Sequence, residues 1–317
     1  MSDTEVGRTD GYAPDTAPVA APVVILNPVG GRGHGARMRR TLERLLLHGR
    51  GDLVVTTGPG HAEQLASAAA QDGRDVIAVG GDGTVAEAGN GVLKSGRRVT
   101  LGVVPCGSGN DYALQTLNVP EKFEDAVEIA LHGTPTIFDA GIVNGRYFLN
   151  SLGIGIDANI AAAAERIKRY PFMSGQRLYW AASLSELLFH YDRCPELTIQ
   201  FDDSEQSTRT IALAAVTVGR TYGGGFRINP GADPHDGLLD MCTLWKPPLV
   251  RALRLLPMVE KGKHLNEPEV SHHLIRTAIL ASGKPVHAHL DGEVLSASRF
   301  EVSVVPAALT VRCGPLQ

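Results

Sequence analysis

The hydrophobic pattern divides the chain into two halves in which the apolar residues are spaced differently. From Val23 to about residue 135, short continuous apolar runs alternate with segments whose apolar residues recur at helical spacing. Continuous apolar strands separated by helices are typical of a parallel sheet that is covered on both faces. We therefore predict a doubly wound α/β unit in the first half, with strands at residues 23–27, 52–57, 76–81 and 101–105.

After Asp139 the pattern changes to strands of alternating or β-branched character that are joined by turns. Two helical stretches interrupt them, at about residues 157–192 and 247–262. Such a run is typical of an antiparallel sandwich, so the predicted fold class is α/β plus all-β. The predicted organisation is a disordered acidic tail over residues 1–20, the α/β unit over 21–137 completed by 306–317, and a β-rich unit over 138–305.

Composition is that of a globular protein: of the 317 residues, 43% are hydrophobic and 20% charged, with a net charge of −4. This balance argues against a coiled coil and against a broad nucleic-acid surface. No apolar run approaches the ~18 residues that span a bilayer, and no signal-peptide pattern is present. A cytoplasmic protein without a zinc site or disulfide framework is expected, since no CxxC or His-paired spacing occurs among Cys106, Cys194, Cys242 and Cys313.

Three glycine-rich turns follow predicted strands, at residues 27–33, 80–84 and 105–111. In an open α/β sheet the carboxyl ends of the strands border the ligand crevice. Glycine lets the backbone approach a ligand closely, and a helix that begins after such a turn offers N–H groups to an anion. Each turn alone fits an ordinary βα connection, but three together favour a phosphate site. Neither GxxxxGK[ST] nor a dinucleotide GxGxxG motif is present.

The ordered set of motifs resembles the bacterial diacylglycerol kinase family of soluble lipid kinases. The family's NPxxGxG, GGDGT and PxGSGND elements match the three turns, and its closing DGE matches Asp291 to Glu293. Its second-domain elements match the segments 139–157 and 230–240. GGDGT alone also occurs in NAD kinases and phosphofructokinases, so the resemblance depends on the whole set. It implies a phosphofructokinase- or NAD kinase-like nucleotide unit and a lipid-substrate unit.

The resemblance also implies a reaction, transfer of the ATP γ-phosphate, with Mg²⁺, to the hydroxyl of a membrane lipid such as diacylglycerol. It nominates Asp291 as the general base with Glu293 beside it, and it leaves Asp82 as a rival base or as the organiser of the Mg-nucleotide. It assigns a lipid headgroup contact to Asp157, and Mg²⁺ ligands to Asp233, Asp236 and the Leu238 carbonyl. Nucleotide binding is assigned to Asn27, Gly31, Thr57, Gly80, Gly81, Asp82, Gly83, Thr84, Glu87, Gly107, Ser108, Asn110 and Asp111.

The residues leave several alternatives open. The dipeptide 291–292 also fits a type I′ hairpin turn, the segment 231–237 a turn before a strand, and Asp157 a helix cap. An NAD kinase-like enzyme with a soluble acceptor would share GGDGT but would not need DGxLD or DGE. A non-catalytic lipid- or nucleotide-binding regulator would not need the four carboxylates of Asp82, Asp236, Asp291 and Glu293. The sequence does not distinguish among four possible lipid acceptors: diacylglycerol, phosphatidylglycerol, a sphingoid base and a polyprenol-like alcohol.

Two segments mix basic with apolar residues, at 165–180 and 245–264. Such segments are typical of helices that lie on anionic headgroups, where each nearby cation contributes ~1 kcal/mol. Solvated helix faces that cover the core explain them nearly as well. The expected partner is therefore a lipid at an anionic bilayer, with transient association at the inner face of the cell membrane and no nucleic-acid partner. An exposed strand edge in the second unit leaves a homodimer open.

Overall fold

The computed structural model describes residues 20–167 and 175–315. The predicted tail over residues 1–20 lies outside the described residues apart from Ala20. The order of elements in the first half is β1 (Val23–Leu26), α1 (Gly30–Leu45), β2 (Asp52–Val55), α2 (His61–Gln71), β3 (Val76–Gly80), α3 (Asp82–Ser95), β4 (Thr100–Pro105) and α4 (Phe123–His132). Short helical turns occur at Leu47–Gly49, Tyr112–Thr116 and Tyr191–Arg193.

The first four strands form a parallel sheet in the order β2-β1-β3-β4. Strands β1 and β3 are buried at every position, as their continuous apolar runs predict. Helices cover the sheet, with α1 in contact with α4 and α2 packed on α3. Helix α4 was not among the predicted elements, although its buried residues recur at helical spacing: Phe123, Ala126, Val127, Ala130 and Leu131.

The second half contains nine strands and three helices over the described residues. They are β5 (Thr134–Val143), β6 (Arg146–Phe148), β7 (Ser151–Gly155), α5 (Ile156–Ile167), α6 (Gly175–Phe189), β8 (Glu196–Phe201), β9 (Ser207–Thr217), β10 (Leu239–Trp245), α7 (Leu249–Glu260), β11 (Val270–Ile275), β12 (Thr277–Leu290) and β13 (Glu293–Cys313).

Strands β9 and β12 each bend so that β7 and β8 pair with both of them. Strand β12 pairs with β8 through Ala278–Ala281 and with β7 through Ala288–Leu290, and its register with β13 breaks between Ala281 and Val286. Strand β9 pairs antiparallel with the same two partners. The folded-over sheet encloses a core that includes Ile154, Ile199, Val216, Leu280 and Phe300.

Strand β13 connects the two halves. Its first part pairs with β12, and Thr310 and Val311 near its end pair in parallel with Thr100 and Leu101 of β4. The predicted boundary between residues 305 and 306 falls inside this strand. It is one strand of 21 residues, broken in its pairing with β5 between Val305 and Leu309. The parallel and antiparallel strands therefore belong to one hydrogen-bonded sheet.

Among the described residues, no helix is both long enough and apolar enough to cross a membrane.

Candidate active site

A cavity of about 1110 Å³ lies between the carboxyl ends of the parallel strands and the β-rich half. Turns that follow β1, β2, β3 and β4 line its polar part, and α5, α6 and α7 contribute to its apolar part. It thus lies where an open α/β sheet places its ligand. The predicted site residues that line it are Asn27, Gly31, Thr57, Gly81, Asp82, Gly83, Thr84, Glu87, Gly107, Ser108, Asp111, Asp291 and Glu293.

Two of the glycine turns touch each other backbone to backbone. A Cβ atom on Gly81 would lie 2.9 Å from the Cα of Gly107, and one on Gly107 would lie 2.4 Å from the Cα of Gly81. In the turn after β1, Gly31 has a φ of +57°, and a Cβ there would meet the Cys106 carbonyl oxygen at 2.2 Å. Glycine is therefore required by contacts within the protein before any ligand is considered.

Side chains fix the positions of the turns. The Asn27 amide donates to the Thr84 hydroxyl at 2.9 Å, which joins the turn after β1 to the first turn of α3. The Glu87 carboxylate accepts the N–H groups of Gly60 (2.9 Å) and Ala62 (3.1 Å), so it holds the start of α2. Thr57 contacts His61, with its hydroxyl 3.0 Å from the Nδ1 atom. Thr57 and Glu87 thus shape the cavity wall that β2 leads into.

Gly80 and Asn110 were predicted to bind nucleotide, but neither residue lines the cavity. A Cβ on Gly80 would lie 2.4 Å from the Thr84 hydroxyl, so this glycine admits the Thr84 side chain. Asn110 has a φ of +62°, and its side-chain oxygen accepts the Gly107 N–H at 2.7 Å. Both residues act on the site by positioning the turns.

Asp82 and Asp111 form a pair of carboxylates in the polar part. Asp82 accepts the Asn110 N–H at 2.7 Å, and burial raises its pKa above the usual range. Asp111 accepts the Gly224 N–H at 2.8 Å; burial first, and the charge of Asp82 second, raise its pKa to about 7. Because two like charges are held close together in a low dielectric, the pair is suited to neutralisation by a cation.

Asp291 occupies the turn between β12 and β13. Asp291 and Gly292 both have positive φ, at +48° and +89°, as a type I′ turn requires. The turn interpretation of this dipeptide is therefore confirmed, and Asp291 also lines the cavity. One carboxylate oxygen accepts the N–H of Leu149 at 2.8 Å, and the other accepts those of Asn150 (3.0 Å) and Ser151 (2.8 Å). Burial raises the pKa of Asp291 to about 6.

Arg146 is a lining residue that the sequence analysis did not identify. Its guanidinium donates to the Glu293 carboxylate at 2.7 Å, close in sequence to Asp291. Among the described lining residues there are two arginines, Arg32 and Arg146, against six carboxylates. The carboxylates are Glu63, Asp82, Glu87, Asp111, Asp291 and Glu293. A single arginine at the start of a short strand forms no recognisable motif, so the sequence carried no signal for Arg146.

The apolar part of the cavity was also missed by sequence reasoning. Helix α7 contributes the face that contains Ala252, Leu255, Leu256 and Val259, and Tyr222, Phe226 and His289 also line the cavity. The helical spacing on α7 indicated a buried face but not that the face borders a cavity. Other apolar lining residues are Leu149, Ile156, Ile160, Leu178, Leu187, Leu213, Ile228 and Leu244.

The remaining predicted residues lie elsewhere. Asp233, Asp236 and Leu238 form a turn outside the cavity lining, in which Asp236 accepts the Leu238 N–H at 2.9 Å. Burial, and then the nearby charges of Asp233, Asp240 and Asp139, raise the pKa of Asp236. Within residues 20–167 and 175–315, no three His, Cys, Asp or Glu side chains are grouped as metal ligands would be. The side chain of Asp157 lies outside the described residues, as do residues 168–174 of the first basic segment.

Comparisons with known proteins agree with this architecture. Residues 21–143 match the diacylglycerol kinase catalytic domain, and residues 150–313 match the YegS C-terminal NAD kinase beta sandwich-like domain. The chain is 32% identical to a diacylglycerol kinase of Mycobacterium tuberculosis, over 90% of this chain and 93% of the relative. It is 30% identical to a diacylglycerol kinase of Bacillus subtilis, over 85% and 88%. A solved Bacillus anthracis structure described as "a putative diacylglycerol kinase" shares the fold, with a TM-score of 0.77 and 22% identity over 94% of this chain and 99% of that one. The chain therefore belongs to the bacterial diacylglycerol kinase-like family of lipid kinases.

Proposed function

We propose that the protein transfers the γ-phosphate of ATP to the free hydroxyl of diacylglycerol, which gives phosphatidic acid. The observation that carries the proposal is the continuity of the cavity. Glycine turns suited to a polyphosphate, a buried carboxylate at Asp291 and an apolar chamber under α5, α6 and α7 all line the same space. A lipid whose free hydroxyl is its polar end and whose acyl chains extend from the other end fits this arrangement, with the hydroxyl at the polar lining and the chains in the apolar chamber.

The apolar chamber favours a lipid acceptor over a soluble one. Each methylene of an acyl chain buried there contributes ~0.8 kcal/mol, whereas a dinucleotide would leave its polar groups unpaired against leucine and isoleucine side chains. This argument disfavours an NAD kinase-like acceptor. Curated relatives named diacylglycerol kinase support the choice of diacylglycerol among membrane alcohols.

Asp291 is suited to the role of general base. Three backbone N–H groups favour its ionised form, burial opposes them, and the resulting pKa of about 6 leaves it ionised near neutral pH. The oxygen that accepts one N–H, from Leu149, retains a lone pair for a substrate hydroxyl. In the proposed step Asp291 takes the hydroxyl proton, the lipid oxygen forms a bond to the γ-phosphorus, and the bond from that phosphorus to the ADP oxygen breaks.

A divalent cation fits the charge balance of the cavity. Six carboxylates and two arginines would repel a nucleotide that carries about four negative charges. Asp82 and Asp111 are the buried pair that would hold Mg²⁺ beside the phosphates, and the ion would supply the positive charge that the lining lacks. The turn at 233–238 offers a second, structural place for Mg²⁺ outside the cavity.

The test is transfer of labelled γ-phosphate from Mg-ATP in anionic mixed micelles. Diacylglycerol, phosphatidylglycerol, sphingosine and NAD are offered in separate reactions. Labelled phosphatidic acid in excess over every other product supports the proposal. Label on another lipid would keep the lipid kinase and replace diacylglycerol. Label on NAD alone would overturn the lipid acceptor, and no label with any acceptor would favour a regulator that has lost catalysis.

A further inference from the structure

Helices α6 and α7 form an antiparallel pair over the apolar chamber. At one end the Trp180 indole of α6 donates to the Glu260 carboxylate of α7 at 3.0 Å. At the other end, Tyr191, just after α6, donates its hydroxyl to the Pro247 carbonyl at 2.6 Å, just before α7. One face of each helix lines the cavity, through Leu178, Tyr179, Ser183 and Leu187 on α6 and Ala252, Leu255, Leu256 and Val259 on α7.

The solvent-facing side of the pair also carries large apolar side chains. On α6, Phe189 is 72% exposed, Leu188 49% and Leu184 44%, and Val250 at the start of α7 is 64% exposed. Large apolar side chains are seldom this exposed in a group unless the surface contacts another molecule. Four of them lie on two adjacent helices that also enclose the proposed acyl chamber.

The exposed charges on the two helices themselves are positive, and in the helical turn just beyond α6 the exposed Asp192 is followed by the exposed Arg193. Arg177 on α6 and Arg254 on α7 are exposed, and Lys261 follows at the end of α7. The exposed residues of the pair over 176–189 and 249–260 include no aspartate or glutamate. Glu186 of α6 is buried, and Glu260 accepts hydrogen bonds from Gln176 and Trp180. Apolar side chains with cations and no carboxylate are complementary to an anionic bilayer.

We propose that this outer face is the surface by which the protein docks on anionic membranes. It is defined by Arg177, Leu184, Leu188, Phe189, Val250 and Arg254. The apolar side chains enter the boundary between headgroups and acyl chains, and the two arginines contact lipid phosphates. The chamber that receives the substrate then lies directly beneath the docked helices. The use of the surface for delivering a lipid rests on the proposed function, but docking itself does not.

The test is co-sedimentation of the full chain with vesicles that lack both nucleotide and diacylglycerol. Wild type is expected to bind vesicles of phosphatidylcholine with 30 mol% phosphatidylglycerol, on the order of 10-fold or more above pure phosphatidylcholine. Leu188→Gln combined with Phe189→Gln should lower binding about 10-fold or more. Arg177→Gln combined with Arg254→Gln should lower binding to the anionic vesicles about 10-fold or more and bring it to the level of neutral vesicles.

Matched control pairs are available elsewhere on the chain. Leu47 and Leu274 are 55% and 52% exposed, so Leu47→Gln with Leu274→Gln removes similar apolar area from another surface. Arg97→Gln with Arg98→Gln removes two exposed charges from the α/β half. Both control pairs should bind vesicles like wild type. The docking variants should still phosphorylate a short-chain diacylglycerol dissolved as monomers, because none of the changed residues lines the cavity.

Three results would overturn the proposal. They are absent vesicle binding by wild type, equal loss in docking and control variants, and a wild-type dimer that the Leu188/Phe189 variant converts to a monomer while vesicle binding stays unchanged. The last result would assign the face to a second copy of the chain. If docking behaves as expected but no lipid is phosphorylated, the docking surface stands and the proposed function falls.

Discussion

At the scale of single residues, the proposed function makes the carboxylate of Asp291 the acceptor of the substrate's hydroxyl proton. Asp291→Asn keeps the size of the side chain but places an amide NH₂ against one of the backbone N–H groups that now donate to it. We expect turnover to fall by about 10²-fold or more, with nucleotide affinity changed by less than about 3-fold. Labelled-phosphate transfer and titration calorimetry measure the two quantities.

The control for this change is Glu293→Gln, which removes the neighbouring carboxylate but not the buried one. Glu293 is exposed at the cavity mouth, where it pairs with Arg146. Its loss should lower turnover far less than that of Asp291. Full activity in Asp291→Asn would instead transfer the role of base to Asp82.

The pH dependence of kcat/KM is a second prediction about Asp291. A base must be ionised to accept a proton, and burial raises the pKa of Asp291 to about 6. The rate should therefore rise with pH and level off above about 6, instead of near the ordinary value of about 4. A profile in free enzyme that is flat between pH 5 and 8 would contradict the assignment.

Asp111 yields a prediction about stability without ligand. Its pKa of about 7 in the folded chain exceeds the unfolded value of about 4, so its protonated form is favoured by folding. Asp111 therefore contributes its full share to the free energy of unfolding below pH 4, and this contribution is lost as the pH rises to 7. Asp111→Asn should therefore raise the free energy of unfolding at pH 8, on the order of 1–3 kcal/mol, and much less at pH 5. Thermal unfolding at both pH values measures the difference, and an equal gain at both would exclude this cause.

At the scale of elements, the contact between the turns after β3 and β4 sets the shape of the proposed phosphate site. Gly107→Ala forces a methyl group against the Gly81 backbone at 2.4 Å, whereas Gly83→Ala meets no protein atom within 4 Å. We expect Gly107→Ala to lose about 1–3 kcal/mol of stability and at least about 10-fold in nucleotide affinity. Gly83→Ala should keep wild-type stability. Chemical unfolding and nucleotide titration of both variants test the expectation, which equal stabilities would contradict.

The polar elements of the site were predictable because their signal is local. A glycine turn after a buried strand identifies a strand end, and parallel strands bring their carboxyl ends together, so residues as distant as Asn27 and Asp82 could be placed at one edge. Helix α4 could have been predicted from the spacing of Phe123, Ala126 and Val127 and was missed. Arg146 could not, because its place depends on the turn that brings it to Glu293.

The apolar chamber was not predictable, for a related reason. Its walls come from α5, α6, α7 and strands distant in sequence, and a buried helix face looks the same whether it meets a core or a cavity. Strand β13 crosses the predicted unit boundary between residues 305 and 306, so its continuity was not predicted. In the structure Ala307 adopts a φ of +49°, and its N–H donates to Asp139 at 2.7 Å, so the chain bends and continues.

At the scale of the whole molecule, β13 makes the two halves depend on each other. Its early residues pair with β12 in the second half, while Leu309, Val311 and Cys313 belong to the hydrophobic core of the first. Asn90 of α3 adds a further link, since its amide both donates to and accepts from the backbone of Tyr147 in β6. Two halves joined in this way should unfold together.

The two tryptophans allow cooperative unfolding to be tested, because Trp180 and Trp245 both lie in the second half. Leu309 lies in the core of the first half and is 2% exposed. Leu309→Ala should therefore lower the free energy of unfolding by about 2–4 kcal/mol. If the halves unfold together, the free energy of unfolding obtained from tryptophan fluorescence in urea falls by that full amount, although the change is remote from both indoles. Val286→Ala, in the core of the second half, shifts the midpoint under either behaviour and serves as the control. A fluorescence transition that is unchanged in Leu309→Ala, while nucleotide binding is lost at lower urea, would mean that β13 joins two independently folding units.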